Sequence, residues 1–199
     1  MICDLRICFV GDSFVAGEGD QEALGWSGRL TAHARRAGLA LTSYNLGIRG
    51  QASTDIAGRW RAECRSRLPA GVPGRVVFSF GVNDTVRVEG GTRVDTDTSV
   101  ANLCAVLAAA REESWPLLMV GPPPVDDAEH NQRIAELDAR FEKVCAERGV
   151  PYIGSCHRLA ADSVWTEQVR AGDGAHPGAA GYAGFAELLL PGWREWLDY

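Results

Sequence analysis

Val10-Gly11-Asp12-Ser13-Phe14 ends the apolar run Leu5-Arg6-Ile7-Cys8-Phe9-Val10, and its reading decides the fold. The run has the length and composition of a short buried β-strand. Gly-Asp-Ser behind it sets a serine hydroxyl on a tight turn at the strand's carboxyl end. In open α/β sheets that edge is where ligands bind. A serine there becomes a nucleophile only beside a base that takes its proton and donors that receive the charge of its attack. Without them the turn is ordinary, because Gly, Asp and Ser are common turn formers and Asp12 or Ser13 can cap a helix starting near Phe14.

Working outward, strand and helix patterns alternate. Residues 25–37 read as a helix with Trp26, Leu30, Ala34 and Ala37, closed by Gly38. Residues 39–46 read as a second strand, followed by the loop Asn45-Leu46-Gly47-Ile48-Arg49-Gly50. Ser53 or Thr54 can cap a helix carrying Ile56, Trp60, Cys64 and Leu68 on one face. Residues 75–80 form the clearest strand, β-branched and aromatic, and run into Gly81-Val82-Asn83-Asp84. Val100, Leu103, Cys104, Leu107 and Ala110 recur at helical spacing. A fourth strand at 116–120 ends at Pro122-Pro123-Pro124, which shape a pocket or simply stop a helix. Ile134, Leu137, Phe141, Val144 and Cys145 mark a long helix, stopped at Gly149. Residues 151–153 read as a fifth strand, and a last helix starts at Pro177 or Gly178. This alternation predicts an α/β fold, a parallel five-stranded sheet covered on both faces, with the flavodoxin-like strand order 2-1-3-4-5. In that order the loops after strands 2 and 3 flank Ser13.

Composition narrows the function classes. The 199 residues suit one domain over 1–199, and an apolar fraction of 46% suits a globular core. A net charge of −6 gives no basic face for nucleic acid. No apolar run reaches the ~18 residues of a membrane span, and no secretory signal precedes the first strand. Cys3, Cys8, Cys64, Cys104, Cys145 and Cys156 are scattered without Cys-x-x-Cys spacing, so no zinc site is expected. Reduced thiols in a cytoplasmic protein is the resulting expectation. The residues carry no signal for an oligomeric state.

Three further stretches surround the serine turn with chemistry. Gly50 can bring its N–H close to a ligand with no Cβ in the way. The Asn83 amide can donate a hydrogen bond, and with the Ser13 N–H these make three donors for an oxyanion. In Asp173-Gly174-Ala175-His176-Pro177, spacing of three lets the carboxylate fold back onto His176 Nδ1, leaving the other ring nitrogen as a base. A lone Asp-x-x-His is otherwise a solvated loop histidine.

Taken in order, Gly-Asp-Ser, the glycine loop, Gly-x-Asn-Asp and Asp-x-x-His-Pro resemble the SGNH (GDSL) hydrolase superfamily of serine esterases and acylhydrolases, over residues 11 to 177. The resemblance implies a three-layer α/β/α sandwich. It implies Ser13 as nucleophile, Asp173 and His176 as acid and base, and an oxyanion hole of Ser13, Gly50 and Asn83. Gly47 competes with Gly50, though the spacing from Asn45 favours Gly50. No metal or organic cofactor is implied, and the partner is a small-molecule ester substrate. No insertion is long enough for a lid, which counts against interfacial lipase action. An acyltransferase using the same triad is the alternative. A non-catalytic flavodoxin-like module would leave Asp173 and His176 without a purpose.

The remaining candidates read as structural. His33 belongs to a helix, His130 to a solvated polar helix, and His157 to no motif. Arg59, Arg61, Arg65 and Arg67 around Trp60 read as a solvated helix face, with Glu63 pairing Arg67. Trp165 is a pocket wall or core.

Overall fold

The computed structural model describes residues 5–199; Cys3 lies outside them. In chain order the elements are β1 (Leu5–Gly11), α1 (Ser13–Ala16), α2 (Gly25–Arg36), β2 (Leu41–Gly47), α3 (Ser53–Arg65) and β3 (Gly74–Ser79). Then follow β4 (Arg87–Val88), β5 (Gly91–Thr92), α4 (Thr96–Glu112), β6 (Leu117–Val120) and α5 (Ala128–Glu147). The chain ends with β7 (Tyr152–Ile153), α6 (Cys156–Ala160), α7 (Ser163–Ala171) and α8 (Ala179–Leu197).

Five strands form one sheet in the order β2-β1-β3-β6-β7, and every pairing in it is parallel. Counting only these strands, this is the expected 2-1-3-4-5. The side-chain period of two along a strand sends alternate residues to opposite faces. Ile7 and Phe9 enter one apolar cluster with Trp26, Trp165, Phe185 and Trp193. Cys8 and Val10 enter the other with Trp60, Leu103, Phe141 and Cys145. Two cores back to back on one sheet make three layers. The Phe9 ring is held edge-on by Trp26 at 5.5 Å and stacked by Trp193 at 5.6 Å.

Local details depart from the sequence reading where distant groups compete. Ala52, not Ser53 or Thr54, precedes the first turn of α3. The Asp55 carboxylate takes the Ala52 N–H and Asp84 Oδ1 takes the Ser53 N–H at 2.7 Å. The Ser53 and Thr54 hydroxyls instead accept from Asn102 Nδ2. The antiparallel hairpin β4–β5 has no counterpart in the expected elements. Its strands of two residues are too short for a periodic pattern to show. Helices α6 and α7 likewise have no counterpart in the expected elements. Asp162 caps α7 by accepting from Trp165 N at 3.0 Å.

The arginine cluster on α3 also differs from expectation. Arg61 and Arg65 pair with Glu112, the last residue of α4, and with Glu113 just after it, as an exposed face would. Glu63, however, pairs with Arg59 at 3.2 Å, and Arg67 binds the Glu63 carbonyl instead. Arg59 itself is turned inward, with only 15% of its side chain exposed. Its acceptors lie on other elements, which helix periodicity cannot reveal.

Candidate active site

β1 delivers the Gly11-Asp12-Ser13 turn to the carboxyl edge of the sheet. A Cβ on Gly11 would stand 2.0 Å from the Ser79 carbonyl oxygen, so only glycine lets β1 and β3 close at this point. Asp12 caps α1, its Oδ1 accepting the Phe14 N–H at 3.0 Å. Ser13 thus becomes the first residue of a helix, with 5% of its surface exposed.

The segment after α7 meets it from the other end of the chain. Asp173 Oδ1 accepts from Ala175 N at 2.9 Å and His176 N at 2.8 Å, which folds the loop tightly. Asp173 Oδ2 accepts from His176 Nδ1 at 2.7 Å. With the ring proton committed there, Nε2 is left as acceptor, and the Ser13 hydroxyl donates to it at 2.7 Å. Burial pushes the Asp173 carboxyl up, but the bonds from the His176 ring and from the His176 and Ala175 N–H groups outweigh it and bring it down to about 2. It is therefore a carboxylate at any physiological pH. Phe14 packs its ring 4.8 Å from the imidazole, backed in turn by Trp165 at 6.3 Å. Trp165 is core, 2% exposed, with its indole N–H donated to the Pro124 carbonyl.

The loop after β2 closes the third side. A Cβ on Gly47 would lie 2.2 Å from Ala16 N and 2.8 Å from the Asp12 carbonyl oxygen, and the Gly47 N–H is spent on Asn45 Oδ1 at 2.9 Å. Gly47 is thus the packing glycine beneath α1. Gly50 sits in the left-handed region at φ +73° with open space where a Cβ would stand. The loop is tied to the serine turn by Ile48 N donating to the Gly11 carbonyl at 3.0 Å. Asn83, after β3, donates from Nδ2 to the Gln51 carbonyl at 2.9 Å and stands 3.5 Å from Asp12 Oδ2.

Supporting residues that sequence patterns left unassigned brace these loops. The Asp20 carboxylate is buried and accepts from Glu22, Leu24 and Gly25 N–H groups and from Arg29. This holds the 17–25 turn against the histidine loop, where a Cβ on Gly19 would stand 3.1 Å from His176 Cβ. His130 is half-buried, not solvated, with Nε2 3.0 Å from Thr85 Oγ1 and 3.1 Å from the Val82 carbonyl oxygen. It braces the turn that carries Asn83, and burial holds its basicity below the usual range. His33 contacts Tyr199 and Arg194 at the far end of α8, and His157 is exposed. A cleft of about 410 Å³ opens beside His176, lined by Gly19, Gln21, Gln168, Asp173 and Gly178. Among the described residues, no group of three or more His, Cys, Asp or Glu side chains is placed to hold a metal ion, and no helix is long and apolar enough to cross a membrane.

Asp12 carries the strongest electrostatic perturbation here. Complete burial pushes its carboxyl up to about 7, against the pull of the Phe14 N–H, and the nearby Asp84 adds to the rise. An unfolded aspartate titrates near ~3.9. Between those values the folded chain keeps a proton that the unfolded chain has lost. The group's contribution to stability is therefore complete below about pH 4 and is lost as pH rises through about 7. Asp12→Asn has no proton to lose, so its melting temperature relative to wild type should be higher at pH 8 than at pH 5. Thermal melts at both values check this, and a constant difference would mean that Asp12 is ionised throughout.

Fold and site together define a class: α/β/α hydrolases that set a serine hydroxyl, an imidazole and a carboxylate in line at the carboxyl rim of a parallel sheet. A profile of the GDSL-like Lipase/Acylhydrolase family matches residues 9–183. The chain belongs to that family and is a carboxylic ester hydrolase. Axe2, an acetylxylan esterase from Geobacillus stearothermophilus, superposes with a TM-score of 0.76 at 17% identity, over 97% of this chain and 96% of that one. A lipase/acylhydrolase from Enterococcus faecalis superposes with a TM-score of 0.74 at 22% identity, over 96% and 95%. At these identities the likeness is one of fold. No curated protein sequence matches.

Proposed function

We propose that the protein hydrolyses carboxylic esters of small soluble substrates through an acyl-enzyme on Ser13. The observation that carries this reading is the unbroken chain from the Ser13 hydroxyl through His176 to Asp173, with both links at 2.7 Å. His176 Nε2 takes the Ser13 proton as Oγ attacks the ester carbonyl. The imidazolium then returns that proton to the departing alcohol oxygen. Water attacks the acyl-enzyme by the same route, with His176 again as base, and releases the acid.

The oxyanion falls to the Ser13 N–H, the Gly50 N–H and Asn83 Nδ2. Gly50 is preferred to Gly47 because the latter's N–H is already donated to Asn45. One Asn83 N–H fixes the amide on Gln51, while the other is 3.5 Å from Asp12, too long to hold it against a developing negative charge. The cleft of about 410 Å³ beside His176 offers room for a compact alcohol moiety. Axe2, similar in fold, is an acetylxylan esterase, which makes short acyl groups the first to try.

A panel of nitrophenyl acetate, butyrate and octanoate, run with a fluorophosphonate label, tests the reading. Turnover should be fastest on the short esters, and the label should map by mass spectrometry to Ser13. Absence of turnover, or a label on another residue, overturns the acyl-enzyme assignment.

A further inference from the structure

We propose that Arg59 is a positioning residue for the oxyanion hole, holding the Gly50 loop in register with the nucleophile turn; this rests on the acyl-enzyme reading above. A carbonyl oxygen has two lone pairs, so at the carboxyl ends of parallel strands it can take a side-chain donor besides any ladder bond. At the ends of β1 and β2 two such oxygens belong to Gly11, which also accepts the Ile48 N–H, and to Leu46, the ladder partner of Val10. They immediately precede the serine turn and the glycine loop. The Arg59 Nη2 donates to both, at 3.0 Å and 2.9 Å. Its Nε donates to Gln51 Oε1, on the residue after Gly50. Its Nη1 is held by Glu63 one turn along α3, at 3.2 Å. One planar guanidinium therefore joins the strand bearing the nucleophile, the strand bearing the glycine loop, and the loop itself.

The rest of the loop is pinned in the same sense. Arg93, just after β5, donates to the Gly50 carbonyl at 2.6 Å, and Asn83 donates to the Gln51 carbonyl at 2.9 Å. Donors on successive carbonyls fix the peptide planes and leave the Gly50 N–H with no acceptor among the described residues. Of these clamps, only Arg59 also grips the backbone next to Ser13. Its planar fork, with donors at fixed angles, is what a lysine cannot reproduce. Arg59 touches no reacting atom in this scheme; it acts through Gly50.

The test compares wild type, Arg59→Lys and Gln51→Ala on nitrophenyl acetate, with melting temperatures and the affinity of a small alkyl boronic acid. The boronate forms a tetrahedral adduct on the serine oxygen and reads the oxyanion hole directly. A displacement of the order of an ångström far from the chemistry can cost about 10²-fold in rate. For Arg59→Lys the expected result is therefore a fall in kcat of about 10- to 100-fold, with KM within about threefold and boronate affinity falling by the same factor as kcat. Gln51→Ala removes one acceptor and should show the same pattern at roughly three- to tenfold. An Arg59→Lys kcat within twofold of wild type overturns the proposal, as does a loss of kcat with boronate affinity unchanged. If Arg59→Lys does not fold, Gln51→Ala decides by the same two readings. A wild-type protein that turns over no ester defeats the acyl-enzyme reading itself, and the positioning role falls with it.

Discussion

Replacing His176 with alanine is expected to lower kcat on nitrophenyl acetate by something on the order of 10⁵–10⁶-fold, the scale seen when a serine hydrolase loses its base. The physical reason lies in the Ser13 hydroxyl, which donates to His176 Nε2 at 2.7 Å. Without that nitrogen, attack would have to proceed from a neutral hydroxyl. Asp173→Asn should cost less, on the order of 10³–10⁴-fold. An asparagine can still accept the Ala175 and His176 N–H groups through Oδ1, so the loop keeps its shape. Its amide would, however, face Nδ1 with a donor and favour the tautomer that puts the proton on Nε2. The carboxylate is also 54% exposed, so water screens part of its electrostatic contribution. Steady-state kinetics of both variants check the order. A larger loss for Asp173→Asn would exchange the weights assigned to base and orienter.

Asn83→Ala is expected to lower kcat by about 10²–10³-fold, corresponding to roughly 3–4 kcal/mol of transition-state stabilisation, the usual loss for one oxyanion donor. KM should change little, because the ester's carbonyl oxygen carries full charge only in the tetrahedral intermediate. The substitution also frees the Gln51 carbonyl. Parallel melting curves therefore separate lost catalysis from lost stability. A decrease of less than about fivefold, with the fold intact, would place the oxyanion on other donors.

Both effects concern residues that short motifs singled out, and the reason they were legible is local. Asp173 and His176 are three residues apart, and Ser13 follows an apolar run that could hardly be anything but a strand. The family expected from four such blocks is the one whose profile matches the chain. Arg59 shows the opposite case. Its neighbours in sequence suggested a salt-bridged surface, yet its acceptors Gly11 and Leu46 lie 48 and 13 residues away. His130 reads as a surface histidine because its helix is polar, yet its bonds to Val82 and Thr85 span 48 and 45 residues.

Sequence alone determined the alternating α/β architecture and the order of strands in the sheet, and it singled out the side chains proposed as nucleophile, base and orienter. Periodicity, turn chemistry and short-range spacing suffice for the elements and the motifs, and the rules for parallel crossovers then restrict the strand order. Tertiary structure alone decided which glycine is free to face a ligand, because Gly47 is pressed against Ala16 while Gly50 stands open at positive φ. It alone decided that Arg59 faces inward and that Asp12 is buried near Asp84. Hydrogen-bond partners and burial depend on what folding brings alongside from distant segments, and no local pattern records them.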